Sequence, residues 1–142
     1  MTGAQAIGYL LNSVSALTTI VSTRIYHGTR PVGTVVPCIN YFEQAGGIRQ
    51  NGFEKVTYSI NCRATTAGTA LQLARLVGDL FHGSSSTGMY GYTGASSGTS
   101  LGNFEITRSS VRQSQGLIPE TADNLYNAPV DVFIVYPSSS IS

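Results

Sequence analysis

The chain has 142 residues, the length of one domain, and can bury about two thirds of the surface its unfolded form exposes. Only 11% of its residues are charged and the net charge is +1, so no strong field is available to draw sequence-specific nucleic acid or an anionic membrane. Its 16 glycines and 8 tyrosines leave a surface rich in uncharged polar and aromatic groups, a composition common where subunits meet.

Ile7, Leu10, Leu11, Val14 and Leu17 recur at helical spacing and predict one amphipathic helix from about Thr2 to Leu17, ending where the threonines and Val21 begin. The apolar run from Ile7 to Val21 is interrupted by Asn12, Ser13, Ser15, Thr18 and Thr19, and no basic residue precedes it. It therefore reads as neither a signal peptide nor a membrane span. Thr23 to Val36, with Gly28, Pro31 and Gly33, is a connector holding a short extended piece around Arg24 to Tyr26. Pro37 opens a β-rich run from Cys38 to Glu43. Its partner is a strand from about Glu54 to Arg63, in which Val56, Tyr58, Ile60 and Cys62 alternate with Thr57, Ser59, Asn61 and Arg63. Ala45-Gly46-Gly47 and Asn51-Gly52 supply turn residues that tolerate positive φ, so a hairpin with a long, flexible tip from Gln44 to Gly52 is expected.

The period then switches to helical. Ala70, Leu73, Ala74, Val77, Leu80 and Phe81 share a face, Thr65 and Thr66 can cap the start, and Gly83 stands beyond the end. Residues 83–102 are almost all Gly, Ser, Thr, Tyr and Ala, which predicts a flexible loop or contact arm. Strand character returns at Asn103 to Val111. Arg112 to Ala128 reads as irregular, broken by Gly116 and Pro119. Val130 to Tyr136 is a strand bracketed by Pro129 and Pro137, and residues 137–142 form a mobile tail. The predicted fold class is α+β: a single domain over residues 1–142, a two-layer sandwich of a mainly antiparallel sheet with two helices on one face.

Candidate chemistry is sparse. His27 lies in a connector with no positioned nucleophile or carboxylate nearby in sequence, and His82 ends a helix, where an imidazolium meets exposed carbonyls. Cys38 and Cys62 show no CxxC and no zinc spacing with these histidines; both read as buried thiols in a reducing compartment. The seven acids, Glu43, Glu54, Asp79, Glu105, Glu120, Asp123 and Asp131, are scattered one per element, with no acid/base couple or metal cage apparent. Gly94-Ala95-Ser96-Ser97-Gly98 lacks the Gly-Lys-Ser/Thr of a phosphate loop. No catalytic, cofactor or metal residue is therefore expected. Tyr90 and Tyr92 in the Gly/Ser-rich loop, without flanking Lys or Arg, suit protein contact better than base stacking. Arg49 in the hairpin tip is the third expected contact residue.

Several local phrases in this order resemble the tail terminator, or tail completion, proteins of long-tailed bacteriophages. They are Ala16-Leu17-Thr18, Arg24-Ile25-Tyr26, Val36-Pro37-Cys38-Ile39 at a strand start, and Tyr58-Ser59-Ile60-Asn61-Cys62-Arg63-Ala64 leading into the helix with Ala70, Ala74 and Asp79-Leu80; Val130-Asp131-Val132 looks like the closing strand. The similarity spans nearly the whole chain, and the Gly/Ser-rich insertion at 83–102 departs from it in length. It implies a non-enzymatic virion protein, assembled in the host cytoplasm, that forms a ring, commonly a hexamer, on the head-proximal end of the tail tube. There it would stop tube polymerisation and dock the head connector or stopper. Arg49, from its place in the hairpin tip, is the expected contact to the tail tube. The competing readings are another head–tail neck component, which would more often be helical, and a small unrelated ligand-binding or enzymatic domain.

Overall fold

A computed structural model describes residues 3–29, 31, 33, 35–44, 47–81, 108–114, 116–121 and 124–137. Helix α1 covers Gly3–Ser13 and α2 Ser15–Val21, followed by strands β1 at Ile25–His27, β2 at Cys38–Glu43, β3 at Ile48–Gln50 and β4 at Phe53–Ala64. Helix α3 spans Ala67–Phe81, and strands β5 at Arg108–Ser114, β6 at Ile118–Glu120 and β7 at Leu125–Pro137 close the chain. The class is α+β, as the sequence predicts. The seven strands form one mixed sheet in the order β1-β2-β4-β7-β5, with β3 beside β4 and β6 beside β7; β1 and β2 are parallel and the other pairs antiparallel.

The single amino-terminal helix of the sequence reading is two helices, bent by 86° at Val14, and the second runs on through the threonines to Val21. The cause is local. Asn12 Nδ2 donates to the Gly8 carbonyl at 2.8 Å and Ser13 Oγ to the Leu10 carbonyl at 2.7 Å, so side chains compete for acceptors the next turn needs, and Val14 adopts an extended conformation. Ser22, at φ 55°, ends α2. No single described helix is long and apolar enough to cross a bilayer.

The predicted long tip is also more ordered in secondary structure than expected: β3 fills much of it and joins β4 through Asn51-Gly52, both at positive φ, the signature of a two-residue hairpin turn. Thr66 caps α3, its Oγ1 accepting from the Thr69 N–H at 3.3 Å. The stretch read as irregular holds the end of β5, all of β6 and the start of β7. Pro129 lies inside β7 rather than before it. It is tolerated because β7 passes from β5, last aligned at Val130, to β6, first aligned at Asn127, and a residue with no N–H to give falls in that gap. The Gly/Ser-rich loop, residues 103–107 of the expected strand and the segment 138–142 of the tail lie outside the described residues.

The core grows from one alternation. Val56, Tyr58, Ile60, Cys62 and Ala64 on β4 stand opposite Ile134, Val132, Val130, Ala128 and Tyr126 on β7. All but half-buried Tyr126 are buried in one cluster with Ile7, Leu11, Leu17, Leu73, Val77 and Phe81 from the three helices. Gly3 and Gly8 let α1 approach closely: a Cβ on Gly3 would sit 2.7 Å from the Tyr58 hydroxyl and 2.9 Å from that of Tyr136, and one on Gly8 would meet the Tyr41 hydroxyl. Burial pushes the Cys62 thiol up to about 12, with a smaller contribution from Cys38, and raises Tyr41, Tyr58 and Tyr136, the last to about 12.

Ile60 and Leu73 are fully buried within the apolar cluster. Ile60→Asp or Leu73→Asp will cost several kcal/mol, about the total stability of a domain this size, and urea denaturation or circular dichroism will find the variants unfolded. The buried thiol and phenols give a second expectation. Their folded values lie above the ordinary 9.0 and 10.0, so their contribution is complete below pH 9 and is lost as pH rises toward about 12, where the unfolded chain has released protons that the folded chain keeps. Melting temperature will fall across that window, and Cys62→Ala will flatten the fall between pH 9 and 10.

Candidate functional site

Two of the concave regions on the described surface differ in chemistry. The first, about 400 Å³, opens where α1 begins, and is lined by Gly3, Glu43, Arg49, Glu54, Tyr58 and Tyr136 among others. Strand register assembles it: Glu43 is aligned with Tyr58 across β2 and β4, and Glu54 with both Arg49 and Tyr136 across β3, β4 and β7. The Arg49 side chain is 73% exposed, and its guanidinium holds Glu54 Oε1 through Nε at 2.8 Å and Nη2 at 2.7 Å. That pair raises the Arg49 pKa, first through the hydrogen bond and then through charge. Tyr136 is lifted first by burial and then by the Glu54 and Glu43 carboxylates, with Arg49 opposing; Tyr58 is lifted first by burial, then by Tyr136 and Glu43. Both phenols therefore stay protonated at neutral pH. In that form each hydroxyl can donate a hydrogen bond.

The second region is a groove of about 300 Å³ between α3 and β5, with Leu71, Ala74, Gly78, Val111 and Val130 on its walls. Arg75 and Asp79 line it too, one helical turn apart on α3 and both exposed. Leu71 is 47% exposed at the same place, a large apolar side chain in water.

The strand residues of the opposite alternation form a polar network. Arg63 donates through Nε to Glu120 at 2.8 Å and through Nη1 to Asn40 Oδ1, Asn40 Nδ2 donates to the Gly28 carbonyl at 2.9 Å, and Asn127 Nδ2 donates to Asn61 Oδ1 at 3.0 Å. Asn40, Ser59, Asn61, Asn127 and Asp131 are all under a tenth exposed. Asn127 Oδ1 and Asp131 Oδ1 are buried without a hydrogen-bond partner among the described residues.

Of the residues singled out from sequence, Arg49 lies in the first cleft, while Tyr90, Tyr92 and His82 are outside the described residues. His27 is exposed and stacks on Tyr41, ring centroids 5.2 Å apart at 19°. Cys38 and Cys62 are free and buried, and the thiol of Cys62 is too weakly acidic to supply a thiolate. Among the described residues no group of three His, Cys, Asp or Glu side chains could hold a metal ion. Sequence reasoning missed the meeting of Glu43, Glu54, Tyr58 and Tyr136 because three strands contribute to it. The signal available was cross-strand register, which the Asn51-Gly52 turn sets for β3 against β4.

No protein-family model matches the chain, and no curated protein matches it in sequence. Its backbone is similar to that of a chain in the virion of the native gene transfer agent particle, with a TM-score of 0.67 and 12% identity, over 95% of this chain and 94% of that one. At that identity the likeness establishes a shared fold.

Proposed function

We propose that this protein is a structural component of a phage-like virion and, more specifically, a tail terminator. Its copies form a ring, of six subunits in this reading, on the head-proximal end of the tail tube. The ring stops tube polymerisation and presents the docking surface for the head connector or stopper. The observation that carries the virion role is the backbone likeness to a subunit of the gene transfer agent virion along almost the full length of both chains. The resemblance of Val36-Pro37-Cys38-Ile39, Tyr58 to Ala64 and Val130-Asp131-Val132 to the terminator family supports the narrower assignment.

A terminator needs two unlike ring faces and a subunit contact that closes on itself, because a heterologous contact that does not close builds a filament. Surfaces of that kind are built from side chains on a rigid sheet, and no step in the process requires a bond to be made or broken. The protein acts in this reading without catalysis, cofactor or metal, in the neck of a particle assembled in the host cytoplasm. Tyr90 and Tyr92 supply contact area to neighbouring virion proteins.

Deleting the gene will leave filled heads unjoined and tails of irregular, excessive length in electron micrographs, and added purified protein will restore joining without nucleotide or metal ion. Substituting Tyr90 or Tyr92 by Ala will weaken joining while leaving the circular dichroism spectrum unchanged. Tails of normal length joined normally to heads in the deletion strain would overturn the terminator reading, and turnover of a small substrate by the pure protein would favour an enzyme.

A further inference from the structure

The first cleft lies where α1 begins, on the helix-bearing face of the sheet. Glu43 is aligned with Tyr58 and Glu54 with Tyr136, so both carboxylates share a face with phenols that belong to the core. Tyr58 is 1% exposed, yet its hydroxyl lines the cleft, 2.7 Å from where a Cβ on Gly3 would stand. A buried phenol usually finds a hydrogen-bond partner, and among the described residues nothing hydrogen-bonds this one. Glu43 is exposed and takes part in neither ion pair of the described residues. Its carboxylate faces the cleft, with Oε1 3.3 Å from the place a Cβ on Gly47 would take. Glu54 differs, because Arg49 already lays its guanidinium on it. Two carboxylates therefore face one cation in the lining, and the cleft keeps one negative charge.

We propose that this cleft receives an arginine side chain from a neighbouring protein, its guanidinium donating to the Glu43 carboxylate and to the Tyr58 hydroxyl. Glu43 and Tyr58 stand directly opposite each other across β2 and β4, so a group with several N–H donors reaches both. The Arg49–Glu54 pair shows the same chemistry within the chain, and a volume of about 400 Å³ takes a second guanidinium with Arg49 left in place. Arginine suits the cleft better than lysine. Its planar fork matches a carboxylate with donors to spare, and it is less strongly hydrated than an ammonium, so it enters a site floored by buried phenols at lower cost. That the neighbour is a virion protein rests on the proposed function; the chemistry of the cleft does not.

The test titrates the full, isotope-labelled chain with methylguanidinium and, separately, with tetramethylammonium, which has the same charge but no N–H, at constant ionic strength. In nuclear magnetic resonance spectra methylguanidinium should shift the amides of Glu43, Gly47 and Tyr58 saturably in the millimolar range, and tetramethylammonium should not. Glu43→Gln, at an exposed position, should weaken that binding roughly tenfold or more, and Tyr58→Phe, which keeps the ring, should weaken it too. Thermal melts check that both variants are folded; if Tyr58→Phe is not, Glu43→Gln alone decides. No saturable shift, an equal response to the two cations, or undiminished binding by Glu43→Gln would overturn the site. The protein source of the guanidinium is tested by adding Glu43→Gln to the head and tail joining reaction, where it should join less well than the native chain. Normal joining by a variant that no longer binds methylguanidinium would overturn the arginine partner. Failure of the terminator reading shows elsewhere, as normal tails in the deletion strain, and leaves the titration with the isolated chain unaffected.

Discussion

The antiparallel pairing of β4 with β7 is the constraint on which the molecule depends. Twelve aligned residue pairs run from Phe53 opposite Pro137 to Ala64 opposite Tyr126, and every other strand except β1 attaches to one member of this pair. Side chains on a strand alternate between faces, so a slip of one residue would turn Tyr58, Ile60 and Cys62 out of the core and bring Ser59, Asn61 and Arg63 into it. The polar alternation guards against that slip. Asn127 meets Asn61, and Arg63 reaches both Glu120 and Asn40, only in the observed register. Each such bond contributes about 1 kcal/mol net, and more where a charge takes part, but a misaligned register would bury several polar groups unpaired at about 1–3 kcal/mol each. The network acts mainly by excluding alternatives.

What was legible in the sequence follows from which elements have one wet and one dry side. β2 occupies Cys38–Glu43 as read, β4 extends the predicted strand by one residue at each end, and α3 carries the predicted face with Thr66 at its cap. These elements bury one alternation or one stripe, so hydropathy alone marks them. β5, with the sequence Arg-Ser-Ser-Val-Arg-Gln-Ser, and β6, with Ile-Pro-Glu, carry almost no apolar alternation and are held by backbone pairing to β7, which leaves no trace in hydropathy. The break at Val14 was hidden for a different reason. Leu10, Leu11, Val14 and Leu17 keep helical spacing straight through it, and only the donors of Asn12 and Ser13 signal that the backbone carbonyls are already taken.

The candidate surfaces were less legible than the fold, because each is made by register rather than by neighbours in sequence. Arg49 was readable as an exposed tip residue. Its fixed partner Glu54 was not, since that pairing exists only because Asn51-Gly52 makes a two-residue turn and brings β3 back along β4. In the same way Leu71, Arg75 and Asp79 lie off the buried stripe of α3. Their groove exists because Val111, on a strand with little hydropathic signal, lies beside α3 near Gly78.

The likeness to a chain of the gene transfer agent virion at 12% identity shows how far sequence can change while one backbone layout is kept. A catalytic site ties particular residue types to particular positions, whereas a ring subunit has to preserve a backbone layout and the complementarity of its surfaces. Complementarity can be kept while both partners change, an apolar contact moving or a charge pair reversing so long as the two sides change together. In the proposed ring, head-to-tail association would require only that two patches fit each other and that the rotation between copies closes. The alternation of β4 and β7 holds the fold, and under the proposed ring reading the residues at the sheet's margins would be the ones left to specify assembly.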